Sequence, residues 1–408
     1  MSNEKRKTDL KREDRSLSDT KRKQPADKPR KQAASGYKPA DNRSGYYILG
    51  GLIALLLVLI ILLIWKFPDQ EQENADGEDR VPRGEFQELL DLSQEEAQRF
   101  YPYGESLLRL TPDYLTIFGL DGQEIYATAL EFEKPVAVAD HRYIIAADRT
   151  GGSFIVLHER GEVFREHLDG MFAGAFFSAD SYLAVIEEAP DQPGYVHIYS
   201  LRDGQKKFKV QFSESGYPLC VSFSPDEQTV NILLLNAKGR HIRAIVKQFD
   251  ITGKAIGQYV PDEYNDLFVT IHEDNKGNLL LCGNRRLVAI SGDSVDALEF
   301  DHAILQTVDL QDGTAMVVDD GNGETVRLCH ARADLQTEFV QVDGVIRSIA
   351  SLNNYVAYAR DEIVGLYDAA KNEILWERAL DADIVHLTLN EKDLIAVTNK
   401  GVRRMAFK

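Results

Sequence analysis

The stretch IVGLYDAAKNEILWERAL, residues 363–380, carries the pattern from which the fold of this chain can be predicted. An apolar run, a polar turn and a second, more polar run follow one another, which is the pattern of a β-hairpin. Four other stretches have the same form with glycine in the turn: YLTIFGLDGQEIYATAL, SFIVLHERGEVFREHL, YVHIYSLRDGQKKFKVQF and IRAIVKQFDITGKAIGQYV. Asn372 takes the place of that glycine in residues 363–380, so we interpret the hairpin as one copy of a repeat.

An apolar strand, a polar turn and another apolar strand precede these hairpins, as in CVSFSPDEQTVNILLL and HLTLNEKDLIAVTNK. The repeating unit is therefore four strands, with units beginning near residues 136, 171, 217, 265, 303, 344 and 384. The spacing of about 41 residues is typical of β-propeller blades. A single four-stranded sheet with two apolar faces is not stable in water, so the units must stack around an axis.

The sequence predicts an all-β propeller over residues 104–408. Partial units remain at residues 105–135 and 384–408, and together they hold more than one blade and less than two. The blade number is therefore seven or eight. We expect the chain ends to pair and close the ring, because an open ring would expose strand edges.

Two stretches resemble known propeller repeats. SFSPDEQTVNILLL, residues 222–235, resembles the FSPDG turn of WD40-like and TolB-like propellers. LYDAAKNEILWERAL, residues 366–380, resembles the repeat of quinoprotein-like propellers, in which a turn glycine and a strand tryptophan recur. Trp376 is the only tryptophan of the propeller region, and the quinone-binding residues of that family have no counterparts here. We therefore assign no cofactor and expect Trp376 to pack between blades.

The first 67 residues predict a membrane anchor. Residues 1–45 contain 14 Lys or Arg and 7 Asp or Glu with almost no apolar residues, which predicts a disordered tail of charge about +7. Residues 46–67 carry no charge except Lys66 and are long enough to span a bilayer as a helix. Gly50 and Ala54 form a small-xxx-small pair, which permits close approach of two such helices. The positive-inside rule places the tail in the cytoplasm and residues after 67 outside.

A basic tail, one span and an external propeller resemble uncharacterised membrane proteins of Gram-positive bacteria. Since the whole chain carries −18 and the tail about +7, residues 46–408 carry about −25. This acidity argues against nucleic acid as a partner of the outer domain.

Residues 68–84 are predicted to be an acidic linker. Residues 85–103 are predicted to form a short amphipathic helix, because five apolar residues fall at near-helical spacing: Phe86, Leu89, Leu90, Leu92 and Phe100.

The sequence contains no linear catalytic motif such as HExxH, GxSxG or a P-loop. His158, His197 and His241 are assigned to hairpin strands, where a single histidine is usually structural. Cys220, Cys282 and Cys329 lie in apolar runs without metal-ligand spacing, so we expect three buried free thiols.

Two acidic turns are candidate metal sites. Asp320, Asn322 and Glu324 alternate as in the first half of a calcium loop, and Asp274 and Asn278 form a shorter set. Both sets lack a later bidentate carboxylate, and tight turns require the same residue types. We assign no catalytic, cofactor or metal site.

The leading hypothesis is a non-enzymatic binding or scaffold module of the cell envelope, whose partner is an envelope protein or a cell-wall ligand. The alternatives are a propeller hydrolase or lyase with an axial active site, and a ligand sensor. A deep axial pocket with clustered ionisable groups would favour the enzyme, and an apolar or flat face would favour the binding module.

Overall fold

The computed structural model describes residues 84–140, 142–190, 192–261 and 266–407. Within these ranges the chain forms 32 strands and one short helix, and the strands make eight four-stranded antiparallel sheets. The prediction of an all-β propeller is confirmed, and the blade number is eight. No helix in these ranges is long and apolar enough to cross a membrane, and the predicted span at residues 46–67 lies outside them.

The first strand of each blade contacts the first strand or the second strand of its neighbours, so the first strands surround the axis. Blades 1 to 8 begin with these inner strands: β2 (Phe100–Tyr103), β6 (Pro135–Ala139), β10 (Met171–Phe177), β14 (Tyr217–Phe223), β18 (Phe268–Glu273), β22 (Ile304–Leu310), β26 (Ser348–Leu352) and β30 (Ile384–Leu389). The second strands are β3 (Ser106–Leu110), β7 (Tyr143–Asp148), β11 (Tyr182–Ala189), β15 (Thr229–Asn236), β19 (Leu279–Gly283), β23 (Gly313–Asp319), β27 (Tyr355–Arg360) and β31 (Asp393–Thr398).

In blades 1 to 7 the remaining two strands form the hairpins seen in the sequence, and in blade 8 they come from the two ends of the propeller. The third strands are β4 (Tyr114–Gly119), β8 (Ser153–His158), β12 (Gln192–Ser200), β16 (Arg243–Asp250), β20 (Arg286–Ser291), β24 (Thr325–Ala331), β28 (Ile363–Asp368) and β32 (Gly401–Ala406). The outer strands are β5 (Glu124–Ala129), β9 (Gly161–His167), β13 (Lys206–Gln211), β17 (Ala255–Tyr259), β21 (Ser294–Glu299), β25 (Thr337–Asp343), β29 (Glu373–Ala379) and β1 (Gln87–Asp91). Each predicted unit start lies within four residues of an observed inner strand.

The ring closes where the two ends of the propeller pair. The sheet of blade 8 has the order β1-β32-β31-β30, and Gln87 lies opposite Arg404 in its antiparallel register. Closure by the chain ends is confirmed, but the strand that closes the ring precedes the predicted start at residue 104. Residues 100–129 form a complete blade 1, whereas blade 8 takes its fourth strand from residues 87–91.

The predicted helix over residues 85–103 is wrong. Helix α1 covers only Gln94–Ala97, with Ser93 and Glu96 forming a capping box, and strands lie on both sides of it. The register of β1 shifts between Glu88 and Leu90, so the strand contains a bulge. The bulge interrupts the alternation of buried and exposed residues, and Leu89 and Leu90 are both half-buried as a helical pattern would have them.

One apolar cluster lies at each of the eight junctions between blades. The cluster between blades 7 and 8 includes Leu366, Leu387 and Met405, and the half-buried Trp376 packs against it. The expected packing of Trp376 between blades is therefore confirmed. In the same blade Asn372 has φ 53°, the conformation that glycine favours, and Tyr358 packs so closely on Gly365 that a Cβ there would overlap its ring.

All inner strands run in the same direction, so the ring has two different faces. The front face is where inner strands begin, and it contains the linkers between blades and the turns between second and third strands. The back face is where inner strands end, and it contains the turns between first and second strands and between third and fourth strands. The two faces differ in their chemistry.

Candidate functional site

Exposed apolar side chains are concentrated on the front face. Twelve large apolar side chains of the described residues are exposed, and eight are on this face. The eight are Tyr114, Met171, Tyr217, Ile242, Leu267, Val269, Leu305 and Val345. The other four are Ile125, Ile256, Val295 and Phe339 on outer strands. In the described ranges the back-face turns contribute none.

Six of the eight lie within three residues of the start of an inner strand in blades 3 to 7. We call Met171, Tyr217, Leu267, Val269, Leu305 and Val345 the apolar arc. Tyr217 is 53% exposed and Val269 is 49% exposed. Because neighbouring blades contribute these residues in order, the arc follows the rim of the central opening. Exposed apolar patches of this kind mark interaction surfaces in soluble domains.

Backbone bulges help to expose the arc. The pairing of the inner strand with the second strand shifts in register near the start of β10, β14, β18, β22 and β30. In β18 and β22 the residues skipped by the register are Val269 and Leu305. A bulge inserts an unpaired residue and turns its side chain away from the regular alternation. The same distortion therefore recurs at one level of the ring.

Tyr217 is placed by a backbone conformation that glycine allows. Gly216 has φ 120°, and a Cβ at this position would overlap the carbonyl oxygen of Leu235. Only glycine fits this approach without a shift of the backbone. The linker into blade 4 is thereby fixed one residue before the exposed ring of Tyr217.

A buried polar cluster fixes the linker into blade 3. Glu187 Oε1 accepts a hydrogen bond from Gly170 N at 2.8 Å, one residue before Met171. Its Oε2 lies 2.5 Å from His197 Nε2 and 3.2 Å from Lys209 Nζ. Burial opposes the charge of Glu187, but the hydrogen bonds from His197 and Lys209 outweigh it and lower the pKa of the carboxyl. Burial lowers the pKa of His197, so a neutral imidazole donates to a carboxylate.

Carboxylates accompany the arc in each of blades 3 to 7. In each of these blades an acidic residue, in the linker or at the end of the preceding strand, lies one to four positions before an arc residue: Asp169, Glu214, Asp266, Asp301 and Asp343. Glu214 pairs with Lys238 at 3.1 Å, and Asp266 lies 3.7 Å from Arg286. Asp169, Asp301 and Asp343 are exposed and have no ion pair within the described ranges. Acidic groups therefore accompany the apolar groups along the arc, and Arg347, a basic residue two positions after Val345, is paired with Asp361 at 3.3 Å.

The back face has polar contacts between blades instead. Seven of the eight junctions carry such a contact among the described residues. The pairs are Glu105 with Glu159, Arg142 with Asp180, Ser178 with Glu227, Asn231 with Glu273, His272 with Asp309, Gln311 with Asn353, and Asn390 with Gly104.

Glu227 is the clearest example, and it occupies the glycine position of the FSPDG-like turn. Its φ is 56°, which disfavours a residue with a side chain. Its Oε1 accepts hydrogen bonds from Ser178 Oγ at 2.6 Å, Asp180 N at 2.7 Å and Ser181 N at 3.1 Å. Because glutamate takes the place of glycine at this position, its side chain can bond to the turn of blade 3 and join blade 4 to blade 3.

In the two acidic turns that were candidate metal sites, the side-chain oxygens accept hydrogen bonds from nearby residues of the same turn. Asp320 accepts from Thr325 Oγ1 at 2.7 Å and lies 3.2 Å from Arg327, while Asn322 Oδ1 accepts from the amides of Glu324 and Thr325. Asp274 and Asn278 are joined by three hydrogen bonds of 2.8, 2.9 and 3.0 Å. Across the described residues no group of three or more His, Cys, Asp or Glu is placed to hold a metal ion.

The three cysteines are buried and unpaired, as expected. Burial raises the pKa of each thiol to about 12. His158 and His197 lie in strands, but the assignment of His241 to a strand is wrong, because it is exposed in the turn before β16.

Two clefts lie between blades. One of about 720 Å³ between blades 1 and 2 contains Ser153, Glu166 and His167, and one of about 670 Å³ between blades 2 and 3 contains Tyr143, His158 and Lys207. Ser153 Oγ lies 2.9 Å from His167 Nδ1, the pairing a nucleophile and base require. His167 is exposed, and no described residue bonds to its other ring nitrogen, so the pair lacks the third group that would orient the base.

Sequence reasoning did not find the apolar arc. The available signal was an acidic linker residue followed by a large apolar residue at a strand start, repeated in blades 3 to 7. The exposure of Val269 and Leu305 depends on bulges, which no single stretch of sequence reveals.

The fold is similar to that of solved propellers. BamB from Moraxella catarrhalis has 12% identity and a TM-score of 0.51, covering 79% of this chain and 100% of that chain. Sqt1 from Saccharomyces cerevisiae has 10% identity and a TM-score of 0.54, covering 76% and 94%. Apo AztD from Citrobacter koseri has 11% identity and a TM-score of 0.49, covering 71% and 88%. At these identities the likeness concerns the fold alone.

The sequence comparisons give a family without an assigned activity. No curated protein matches the chain. A family described as a family of unknown function, DUF5711, matches residues 85–407, which include all eight blades. The chain belongs to the DUF5711 family.

Proposed function

We propose that this protein is a non-enzymatic binding module that docks a polypeptide segment on the apolar arc. The observation that carries the proposal is the concentration of exposed apolar side chains at the starts of five consecutive inner strands. Aromatic and aliphatic side chains at the centre of a contact supply most of the binding energy in protein interfaces. The predicted span at residues 46–67 would hold this module outside the cell membrane, where its partner is an envelope protein.

The backbone that carries the arc is held in place at two linkers, and this rigidity supports a binding role for the arc. Gly216 fixes the linker before Tyr217, and the buried Glu187 fixes the linker before Met171. A surface held in one conformation loses less conformational entropy when a partner docks. The arc is therefore preorganised on the side of the ring that has few polar ties between blades.

Cross-linking in intact cells tests this proposal. A photoreactive amino acid is placed at Leu305 in the full chain, and the matched control carries it at Ile256, an outer-strand residue that is 52% exposed. We expect a discrete adduct from position 305 that falls about tenfold when Tyr217→Ser is added, because interface aromatics carry much of the binding energy. Equal adducts from positions 305 and 256, or an adduct insensitive to Tyr217→Ser, would contradict the proposal.

A further inference from the structure

We infer that the segment bound at the apolar arc is cationic, with Lys or Arg side chains interspersed among apolar anchors. This inference rests on the proposed function and adds the chemical class of the partner. Its basis is the charge of the rim. In each of blades 3 to 7 a carboxylate precedes an arc residue by one to four positions, so acidic groups accompany the apolar groups along the arc.

Three of these carboxylates are free to meet a partner. Asp169, Asp301 and Asp343 are exposed and have no ion pair in the described part of the chain, whereas Glu214 and Asp266 already face Lys238 and Arg286. Free carboxylates beside apolar groups favour a ligand that brings positive charge next to apolar side chains, and they repel an acidic one.

The acidity of the region argues against a lipid surface. Residues 46–408 carry about −25, and anionic lipid attracts basic rather than acidic surfaces. An apolar rim on an acidic domain therefore fits a basic polypeptide better than a bilayer.

Binding of defined peptides to the full chain in phosphatidylcholine nanodiscs tests the inference. The probes are fluorescently labelled twelve-residue peptides that alternate Leu with Lys, Leu with Glu, or Ser with Lys, measured by anisotropy. The variant Asp169→Asn/Asp301→Asn/Asp343→Asn removes the free carboxylates. The control Glu124→Gln/Asp293→Asn/Glu391→Gln removes three exposed carboxylates away from the arc and matches the change in net charge.

We expect the Leu/Lys peptide to bind at least tenfold more tightly than either other peptide. The Asp169, Asp301 and Asp343 variant should weaken its binding about tenfold, as expected for three rim ion pairs, and the control should change it less than twofold. Raising the salt concentration from 50 to 500 mM should weaken it as well, because exposed ion pairs are screened.

The failure of this inference differs from the failure of the proposed function. A Leu/Glu peptide that binds as tightly as the Leu/Lys peptide, with both weakened by Tyr217→Ser/Leu305→Ser, would overturn the cationic class and leave the arc as the site. Peptide binding unaffected by Tyr217→Ser/Leu305→Ser would overturn both. Absence of Leu/Lys binding, or arc-dependent binding of the protein to phosphatidylglycerol vesicles in its place, would overturn the inference.

Discussion

The two faces of this propeller are built from the same strands and differ in the side chains that they expose. On the back face, turns of neighbouring blades are joined by polar contacts such as Asn390 with Gly104, and no large apolar side chain of the described turns is exposed. On the front face, six large apolar side chains are exposed near the starts of inner strands, and two of them, Val269 and Leu305, lie at bulges. Polar contacts between blades and exposed apolar side chains are therefore concentrated at opposite ends of the inner strands, and the apolar end is where we propose that a partner binds. Substitutions on the back face should therefore lower the stability of the fold, whereas substitutions on the front face should lower ligand binding and leave stability nearly unchanged.

The largest expected effect comes from opening the ring. Deletion of residues 87–91 removes β1, leaves the edge of β32 unpaired and uncovers the cluster that contains Ile395 and Val402. We expect a loss on the order of 5 kcal/mol from lost burial and backbone hydrogen bonds. Thermal unfolding of the full chain should show a melting temperature lower by about 10 °C. Deletion of residues 2–43 is the control, and equal melting of the two deletions would mean that the chain ends do not close the ring.

A single back-face residue should have the next largest effect. Glu227→Ala removes three hydrogen bonds to the turn of blade 3 but keeps a residue with a side chain at φ 56°. We expect it to lower the free energy of unfolding by about 2 kcal/mol. Glu227→Gly loses the same bonds and relieves the backbone, so it should be more stable than Glu227→Ala by about 1 kcal/mol. Denaturant unfolding of the parent and the two variants measures this order of stability. An alanine variant as stable as the parent would show that Glu227 does not hold blades 3 and 4 together.

Acid should weaken the seam between blades 8 and 1. His386 lies 4.8 Å from the ring of Tyr101 across this seam, and burial lowers its pKa. The unfolded histidine titrates near pH 6.5, so as the pH falls the unfolded chain binds the proton first and the folded state loses stability. Between pH 7 and 5 the parent should lose about 1 kcal/mol more than His386→Gln. An identical pH dependence of unfolding for the two proteins would contradict this assignment.

The smallest effect on folding is expected on the front face. Tyr217→Ser and Leu305→Ser change side chains that are 53% and 46% exposed, so each should alter the free energy of unfolding by no more than about 0.5 kcal/mol. The outer-strand change Ile256→Ser is the matched control. Loss of more than 2 kcal/mol in either arc variant would show that the arc is part of the core, and the comparison of the two faces would fail.

The sequence predicted the features of this fold that are local. Each hairpin carries its own turn residue, such as Gly253 or Asn372, and its own apolar alternation, so blade starts were found within four residues. The closing strand at residues 87–91 was missed because its bulge mimics helical spacing. The candidate site was missed for a related reason: the exposure of Val269 and Leu305 depends on how the inner strand pairs with its neighbour. Register between strands is a tertiary property that periodicity does not encode.

The burial of the three native thiols allows an introduced cysteine to report whether a partner covers the apolar arc in cells. Cys220, Cys282 and Cys329 are buried, and burial raises the pKa of each to about 12, so they should react slowly with maleimides. Leu305→Cys and Ile256→Cys then place one reactive thiol on the arc or on an outer strand. The measurement is the rate of labelling by a membrane-impermeant maleimide, in intact cells and in purified protein. We predict that both variants label equally fast when purified, and that in cells Ile256→Cys labels while Leu305→Cys is protected at least tenfold by a bound partner. Equal labelling of the two positions in intact cells would contradict a partner on the arc, and no labelling of either would contradict the proposed external location.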